Sequence, residues 1–291
     1  MKYKINTPQA ILEQGGRHNQ EDSIFPLPGE ATADSRYFIV CDGMGGHDNG
    51  EVASATVCQA ISKSMDRLHS DKEPLSDEQF REVMNEAYDA LEAVYRKHKT
   101  DMGTTLAFVC LHRGGCLAAH IGDSRIYHFR PLTGEVLYRS RDHSLVQQQY
   151  ELGEISYYDM FSSPQRNIIL KAMQPMQHER TAPTVVHITD LRKGDYLYLC
   201  TDGMLEEMDD EQLLYILKTR ISDEKKAEKL INLTAGNADN HSAYLIHILD
   251  VEPEENDHLL PSDEEEARRK NKALYDTCKD MAWNAISSIL S

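Results

Sequence analysis

Apolar, strand-like runs follow one another between residues 104 and 249 of this chain, and most are separated by short turns. They cover residues 104–111, 116–122, 124–130, 134–140, 184–189, 195–201 and 243–249. Parallel strands need crossover connections of about a dozen residues or more, which most of these turns are too short to provide. The pattern therefore predicts antiparallel sheets, with a tight hairpin at the Arg-Gly-Gly turn 113–115.

Amphipathic helical patterns lie on both sides of this strand-rich region. One covers residues 51–68, and a second begins where Ser76 and Gln79 can form a capping box. Two shorter patterns cover residues 209–219 and 223–234. Helices with one apolar face cover the outer faces of sheets, so the chain is predicted to form a layered α+β sandwich.

Three segments fall outside this pattern. Residues 140–166 are polar and irregular, which predicts a surface excursion, and residues 251–266 form an acidic linker after a main domain at 1–250. Residues 267–291 have the spacing of an amphipathic helix. Its apolar face predicts docking on its own domain or, alternatively, on a partner or a second copy.

The formal net charge of −17 disfavours nucleic acids and anionic membranes as partners, since both bind basic surfaces. An acidic protein can still act on anionic substrates if bound cations reverse the local field. No apolar run approaches the roughly 18 residues of a membrane span, and the first residues lack the apolar core of a signal peptide. A cytoplasmic location is expected, with Cys41, Cys58, Cys110 and Cys200 as reduced thiols in the core.

Acidic residues recur where predicted strands end. Apolar runs at 37–41 and 195–201 are each followed by Asp-Gly. Asp42, Asp202 and Asp123 follow predicted strands, Asp239 lies just before the final one, and Glu21 and Asp22 occur early in the chain. A single strand-end Asp-Gly is usually a turn. Several can converge at one edge of a sandwich, where carboxylates repel one another unless they are protonated or bind a metal, so the repetition predicts a site for hard divalent cations.

A site of this kind suits one class of reaction. Two Mg²⁺ or Mn²⁺ ions about 3.5–4 Å apart favour hydrolysis of phosphate esters, with a bridging water or hydroxide that attacks phosphorus in line. Gly43 would let its backbone carbonyl approach an ion without a Cβ in the way. Arg17 could hold the phosphate oxygens, and the alternative is a solvated surface arginine.

Eight sequence blocks occur between residues 9 and 250 in a characteristic order. They are GGRHNQEDSIF, FIVCDGMGGHDNGEVAS, MGTTL, HIGDSRIY, RDHSLVQQQYELGEIS, NIILKAM, YLYLCTDGM and GNADNHSAYLI. Together they resemble metal-dependent serine/threonine protein phosphatases of type 2C, the PPM family, and in particular its bacterial branch. The resemblance implies a four-layer αββα sandwich, in which helices flank two antiparallel sheets.

The resemblance also implies which residues hold the metal ions. Asp42 would bridge two Mg²⁺ or Mn²⁺ ions, and the carbonyl of Gly43 would bind one of them. Asp202 and Asp239 would bind the other ion. Asp123 matches the acid that helps to hold a third, weaker metal in bacterial members.

Four further residues take roles by the same resemblance. Glu21 and Asp22 match an early acidic pair that acts on the metals directly or through water. Arg17 would hold the phosphate, and Asn240 would orient the neighbouring Asp239.

Two histidines lie in the matching blocks. His47 is a candidate general acid for the departing serine or threonine oxygen, and the alternatives are a structural or substrate-orienting role or a metal-bound water in its place. Met44 stands where some members carry a histidine directly after Asp-Gly. His143 is expected to be structural.

Residues 145–166 match the bacterial flap beside the active site. Tyr157, Tyr158, Met160 and Phe161 are candidate contacts for a protein substrate, and the alternative is that they pack the flap onto the domain.

The predicted function is hydrolysis of phosphoserine and phosphothreonine on proteins, opposing a kinase. Phosphorylated proteins are then the expected partners. Two alternatives stay open. One is a regulatory phosphoprotein-binding or scaffold module whose function lies in its acidic tail, and the other is a phosphatase of small phosphomonoesters.

Overall fold

Two six-stranded antiparallel sheets form the centre of the protein. The computed structural model describes residues 2–45, 49–68 and 74–252, apart from the side chain of Phe161. The first sheet contains, in spatial order, β1 (Lys2–Ile5), β12 (His241–Glu252), β11 (Tyr196–Cys200), β8 (Arg125–Arg130) and β9 (Glu135–Arg139), with β2 (Gln9–Glu13) also paired to β12. The second contains β10 (Thr184–Ile188), β7 (Gly115–Ile121), β6 (Leu106–His112), β4 (Tyr37–Met44) and β3 (Asp22–Phe25), with β5 (Gly103–Thr104) paired to β4.

Helices cover the outer faces of both sheets. The described helices are α1 (Gly50–Leu68), α2 (Asp77–His98), α3 (Leu145–Glu151), α4 (Tyr157–Ser162), α5 (Asp210–Lys218) and α6 (Asp223–Thr234). Apolar residues of α1 and α2 pack with the second sheet, and those of α5 and α6 pack with the first. A third apolar cluster lies between the two sheets. The predicted four-layer αββα sandwich is confirmed.

Strand β6 shows how the sequence produces this layering. Its alternate side chains Leu106 and Phe108 join the cluster under α1 and α2, whereas Ala107 and Val109 join the cluster between the sheets. Because both faces of the strand are buried, its sequence is continuously apolar rather than alternating.

Helix α2 begins at the predicted capping box. The Ser76 hydroxyl accepts a hydrogen bond from the backbone N–H of Gln79 (3.2 Å), and the Gln79 side chain accepts one from the N–H of Ser76 (3.0 Å). These bonds satisfy two N–H groups that the first turn would otherwise leave unpaired. The helix ends at His98, and the C-cap residue Lys99 adopts a left-handed conformation with φ 53°.

The structure differs from the sequence-based expectation in three places. β10 and β11 are joined by a short turn but lie in different sheets, since β10 pairs with β7 and β11 pairs with β8 and β12. The excursion at 140–166 is not wholly irregular, because it contains α3 and α4. The strands β1, β2 and β3 were not predicted, and β12 is longer than residues 243–249 because it pairs with three other strands.

The C-terminal predictions fall largely outside the described residues. Val251 and Glu252, at the predicted start of the acidic linker, belong to β12. The rest of the linker and the predicted helix at 267–291 lie beyond the described part of the chain. None of the described helices is both long enough and apolar enough to cross a membrane. Cys41, Cys58, Cys110 and Cys200 are buried, reduced thiols, as expected.

Candidate active site

Five aspartates from the ends of strands in both sheets form one electrostatic cluster. Asp22 and Asp42 face each other directly in the pairing of β3 with β4. Burial raises the pKa of Asp42 well above its usual value, and the charges of Asp22, Asp202, Asp123 and Asp239 raise it further. The strand-end acids that the sequence predicted to converge are therefore close enough to repel one another.

Asp22 is the acid whose surroundings are described most fully. Its side chain is 4% exposed, and burial raises its pKa to about 7. Two hydroxyls oppose that rise by donating to the same oxygen: Ser242 Oγ at 2.7 Å and Thr201 Oγ1 at 2.9 Å from Asp22 Oδ2. The other oxygen, Oδ1, is buried and accepts no hydrogen bond from the described residues.

Buried carboxylate oxygens without a partner are the feature that fits a metal ion. Asp123 Oδ1 and Asp202 Oδ1, like Asp22 Oδ1, are buried and accept no hydrogen bond from the described residues. Burial raises the pKa of both Asp123 and Asp202, and neighbouring carboxylates add to the effect. Hard divalent cations take several oxygen ligands and remove this repulsion, so the donor set fits Mg²⁺ or Mn²⁺.

The acids are not arranged as a closed metal site. In residues 2–45, 49–68 and 74–252, no three His, Cys, Asp or Glu side chains already meet as a group that could hold an ion. One contact bears on this arrangement: Asp239 Oδ2 is ion-paired with Arg17 Nη2 at 2.7 Å.

The loop between β2 and β3 carries Arg17 and approaches β12 closely. Gly15 has φ +59°, and a Cβ there would lie 2.0 Å from the backbone oxygen of Asp239. The N–H of Gly16 donates to the carbonyl of Ala238 at 3.1 Å. Glycine is therefore needed for the loop to place Arg17 beside Asp239.

Asn240 joins the same loop to the start of β12. Its Nδ2 donates to the carbonyls of Gln14 (2.8 Å) and Asn19 (2.9 Å), and its Oδ1 accepts from the N–H of Glu21 (2.8 Å). Its backbone N–H also donates to Asp239 Oδ1 at 2.8 Å. Asn240 thus positions both Glu21 and Asp239, a wider role than orienting Asp239 alone.

Gly43 is needed where β4 meets the first turn of α1. A Cβ on Gly43 would lie 2.1 Å from the carbonyl oxygen of Gly50 and 2.5 Å from that of Glu21. Its own N–H donates to the Glu21 carbonyl at 3.1 Å. This close backbone approach explains a glycine after Asp42, in addition to the access for an ion that the sequence suggested.

Sequence reasoning missed the hydroxyl residues that support the acids. Thr201 and Ser242 hold Asp22, and Thr105 Oγ1 accepts a hydrogen bond from the N–H of Asp42 at 2.9 Å. A signal was present, because Thr201 directly precedes Asp202 and Ser242 lies three residues after Asp239. Their partners lie far away along the chain, so the contacts could not be derived from spacing.

The two motif histidines have different outcomes. His47 lies outside the described residues, so its role stays a prediction. His143 stacks on His120 with ring centroids 4.6 Å apart, and its Nδ1 accepts a hydrogen bond from the N–H of Gly122 at 3.2 Å. These contacts agree with the structural role expected for His143.

The flap (residues 145–166) borders a cleft of about 160 Å³. Asp123, Asp202 and Asp239 line the cleft together with Tyr157 and Met160 of the flap. Tyr157 is anchored, since Arg139 Nη1 donates to its hydroxyl at 3.1 Å and pairs with Asp210 at 2.8 Å. Tyr158 is 83% exposed and packs against Tyr157 edge to face. The cleft therefore connects the acid cluster to an aromatic surface.

Comparison with known proteins gives consistent matches. Residues 14–232 match the family described as protein phosphatase 2C. The serine/threonine protein phosphatase PstP of Mycobacterium tuberculosis is 31% identical over 87% of this chain, which spans 46% of that relative's length. A crystal structure of the M. tuberculosis serine/threonine phosphatase PstP/Ppp has a TM-score of 0.71 and 29% identity, and the match covers 84% of this chain and 99% of that one. A structure of the PstP catalytic domain in complex with two manganese ions has a TM-score of 0.69 and 28% identity, with the same two coverages.

Proposed function

Because the chain belongs to the protein phosphatase 2C family, we propose that it hydrolyses phosphoserine and phosphothreonine on proteins in a reaction that requires Mg²⁺ or Mn²⁺. The observation that carries this proposal is the acid cluster. Strand ends from both sheets bring together carboxylates that raise one another's pKa, and several of their buried oxygens lack a partner among the described residues.

In this proposal the ligands of two ions would be Asp42, the carbonyl of Gly43, Asp202 and Asp239. Glu21 and Asp22 would act on the ions directly or through water, and Asp123 would help to hold a third ion. Bound divalent ions would supply an activated water and the positive charge that phosphate-ester hydrolysis needs in an acidic protein. The described chain contributes the fixed carboxylates and the hydroxyls of Thr201 and Ser242 that keep Asp22 oriented.

Arg17 is proposed to hold the phosphate of the substrate. Its side chain is 56% exposed, so its guanidinium can reach a ligand that enters from solvent. The ion pair with Asp239 must then be exchanged for one with phosphate, which becomes favourable once the charge of Asp239 is neutralised. A planar guanidinium can donate two parallel hydrogen bonds to phosphate oxygens.

The departing serine or threonine oxygen needs a proton, because an alkoxide is a poor leaving group. We propose His47 as its donor. His47 lies five residues after Asp42, in the block DGMGGH, and this nearness in sequence supports the role.

Protein substrates are favoured over small phosphomonoesters by the exposed aromatic surface of the flap. Tyr157 lines the cleft and Tyr158 is exposed next to it, which supports a role for both in contacting residues beside a phosphorylated side chain. The substrates are therefore proposed to be phosphoproteins, and the protein is proposed to act in the cytoplasm.

The test is a phosphate-release assay on phosphoserine, phosphothreonine and phosphotyrosine peptides, with Mn²⁺ or with a chelator. The proposal predicts metal-dependent release from the first two peptides, and a loss of about 10³-fold or more in kcat for Asp42→Asn, since removing a central electrostatic group costs that much. Asp34→Asn is the matched control, because Asp34 is exposed and remote from the cluster. Release that survives chelation, or full activity in Asp42→Asn, would refute the metal mechanism.

A further inference from the structure

The cleft beside the acid cluster has two chemically different parts. Val146, Tyr157 and Met160 of the flap, together with Leu205 and Met208, supply apolar and aromatic surface. Glu206 and Asp209, in the same chain segment as Leu205 and Met208, supply carboxylates. Such a combination matches a lysine or arginine, whose aliphatic stem packs on apolar surface while its charged end stays at a polar rim.

The two rim carboxylates are held in place by backbone hydrogen bonds. Glu206 Oε2 accepts from the N–H of Ala238 at 2.8 Å. Asp209 caps helix α5, accepting from the N–H of Gln212 at 2.8 Å. Both are exposed, and within the described part of the chain no ion pair with a cation neutralises either of them. Their charge therefore faces the cleft in a fixed position.

Most other charges along the cleft are already matched. Arg125 binds Asp142 through two hydrogen bonds of 2.8 and 2.7 Å. Asp210 is paired with Arg139. Asp123, Asp202 and Asp239 are the carboxylates proposed above to bind cations. Once those are neutralised, Glu206 and Asp209 remain as the negative charge of the rim, and Arg166 of the flap lines the same cleft.

The cleft begins at the acids where the phosphate would be held, so a neighbouring residue of the substrate can enter it. Consecutive Cα atoms are about 3.8 Å apart, which keeps the flanking side chains within reach of the rim. Buried Asp123, with an oxygen that finds no partner in the described chain, lines this same cleft, so the cleft reaches from the acid cluster to the rim carboxylates.

We propose that this cleft selects phosphopeptides that carry a lysine or arginine close to the phosphorylated residue, through Glu206 and Asp209. The inference rests on the proposed function and adds to it a preference for substrates with a positively charged residue beside the phosphorylated one.

The experiment compares phosphothreonine peptides that carry Arg, Ala or Glu at each of the two positions on either side of phosphothreonine, assayed with Mn²⁺. At one position or more, kcat/KM for the Arg peptide should exceed that for the Glu peptide by about ten-fold at low salt. This is the size expected if Arg forms two surface ion pairs with Glu206 and Asp209, whereas Glu is repelled by both. The ratio should fall as salt is raised, because exposed charges are screened.

Two variants separate the rim from the catalytic acids. Asp209→Asn keeps a good helix cap, and Glu206→Gln keeps an amide oxygen for the Ala238 N–H, so both should fold. Together they should reduce the Arg-to-Glu ratio to about two-fold and leave hydrolysis of p-nitrophenyl phosphate unchanged. Glu207→Gln is the matched control, since Glu207 is exposed beside them and does not line the cleft.

An equal rate on the three peptides, or a preference for Glu through Arg166, overturns the charge selection while phosphopeptide hydrolysis stands. A double variant with the wild-type ratio also overturns it. If no phosphopeptide is hydrolysed in the presence of Mn²⁺, the proposed function fails and this inference fails with it.

Discussion

Removing the Thr201 hydroxyl should weaken metal binding without removing any proposed metal ligand. Thr201 Oγ1 and Ser242 Oγ both donate to Asp22 Oδ2, at 2.9 and 2.7 Å, and both residues are buried. These bonds favour the ionised form of Asp22, whose pKa burial raises to about 7. In Thr201→Val the pKa of Asp22 must rise further, so the ionised carboxylate that a cation needs is less populated at neutral pH.

The size of the effect follows from the bond that is lost. A hydrogen bond to a charged group contributes about 1.5–3 kcal/mol, so Mn²⁺ affinity should fall by roughly ten- to hundred-fold. The loss should be largest at pH 6 and shrink as pH rises, because alkaline conditions restore the carboxylate. Ser242→Ala should behave in the same way, and Thr201→Ser should bind nearly as well as the wild type because it keeps the hydroxyl.

Isothermal titration with Mn²⁺ between pH 6 and pH 8 measures this directly. Thr201 also accepts a hydrogen bond from the N–H of Ser242 at 3.0 Å, so thermal unfolding in chelator must be followed to separate folding from binding. Thr56→Val is the control, because its hydroxyl bonds within α1 to the carbonyl of Val52. If Thr201→Val and Ser242→Ala bind Mn²⁺ as tightly as the wild type at every pH, the idea that these hydroxyls keep Asp22 ready for a cation is wrong.

Two further predictions concern histidines. His47→Gln should reduce kcat on phosphoserine peptides by about 10²-fold or more and barely affect p-nitrophenyl phosphate, whose leaving group needs no proton; equal losses on both substrates would argue against His47 as the general acid. His112 is buried, and burial, with a smaller contribution from neighbouring His187, lowers its pKa to about 4. Below the usual histidine pKa, His112 binds a proton in the unfolded chain but stays neutral in the folded protein. The free energy of unfolding should therefore fall by about 1–2 kcal/mol between pH 6.5 and pH 5. Urea unfolding at several pH values should show this fall in the wild type and a smaller fall in His112→Gln. An equal fall in the variant would show that a group other than His112 causes it.

The sequence was most informative where a local signal had one structural meaning. The capping box at Ser76 and Gln79 located the start of α2, and the continuous apolar runs located β6, β7 and β11. Repeated Asp-Gly pairs at strand ends predicted that Asp42 and Asp202 would meet. These signals depend on residues a few positions apart, which is why a single sequence can carry them.

Contacts between distant segments could not be predicted. The turn between β10 and β11 looks like a hairpin in sequence, yet the two strands pair with different sheets because each finds its partners elsewhere in the chain. Asn240 donates hydrogen bonds to residues more than 200 positions away, and from the sequence alone it could equally have been an ordinary turn residue. β1 was missed because four residues are too few to reveal its alternation, although buried Tyr3 and Ile5 alternate with exposed lysines.

The arrangement of the strand-end acids around cations is the central claim, and a crystal grown with Mn²⁺ and measured at the manganese absorption edge tests it most directly. Anomalous peaks for two ions about 4 Å apart or less, with Asp42 touching both and Asp202 and Asp239 on one of them, are the expected result. A map in which these carboxylates hold no manganese, with Asp239 still bound to Arg17 at saturating Mn²⁺, would contradict the claim.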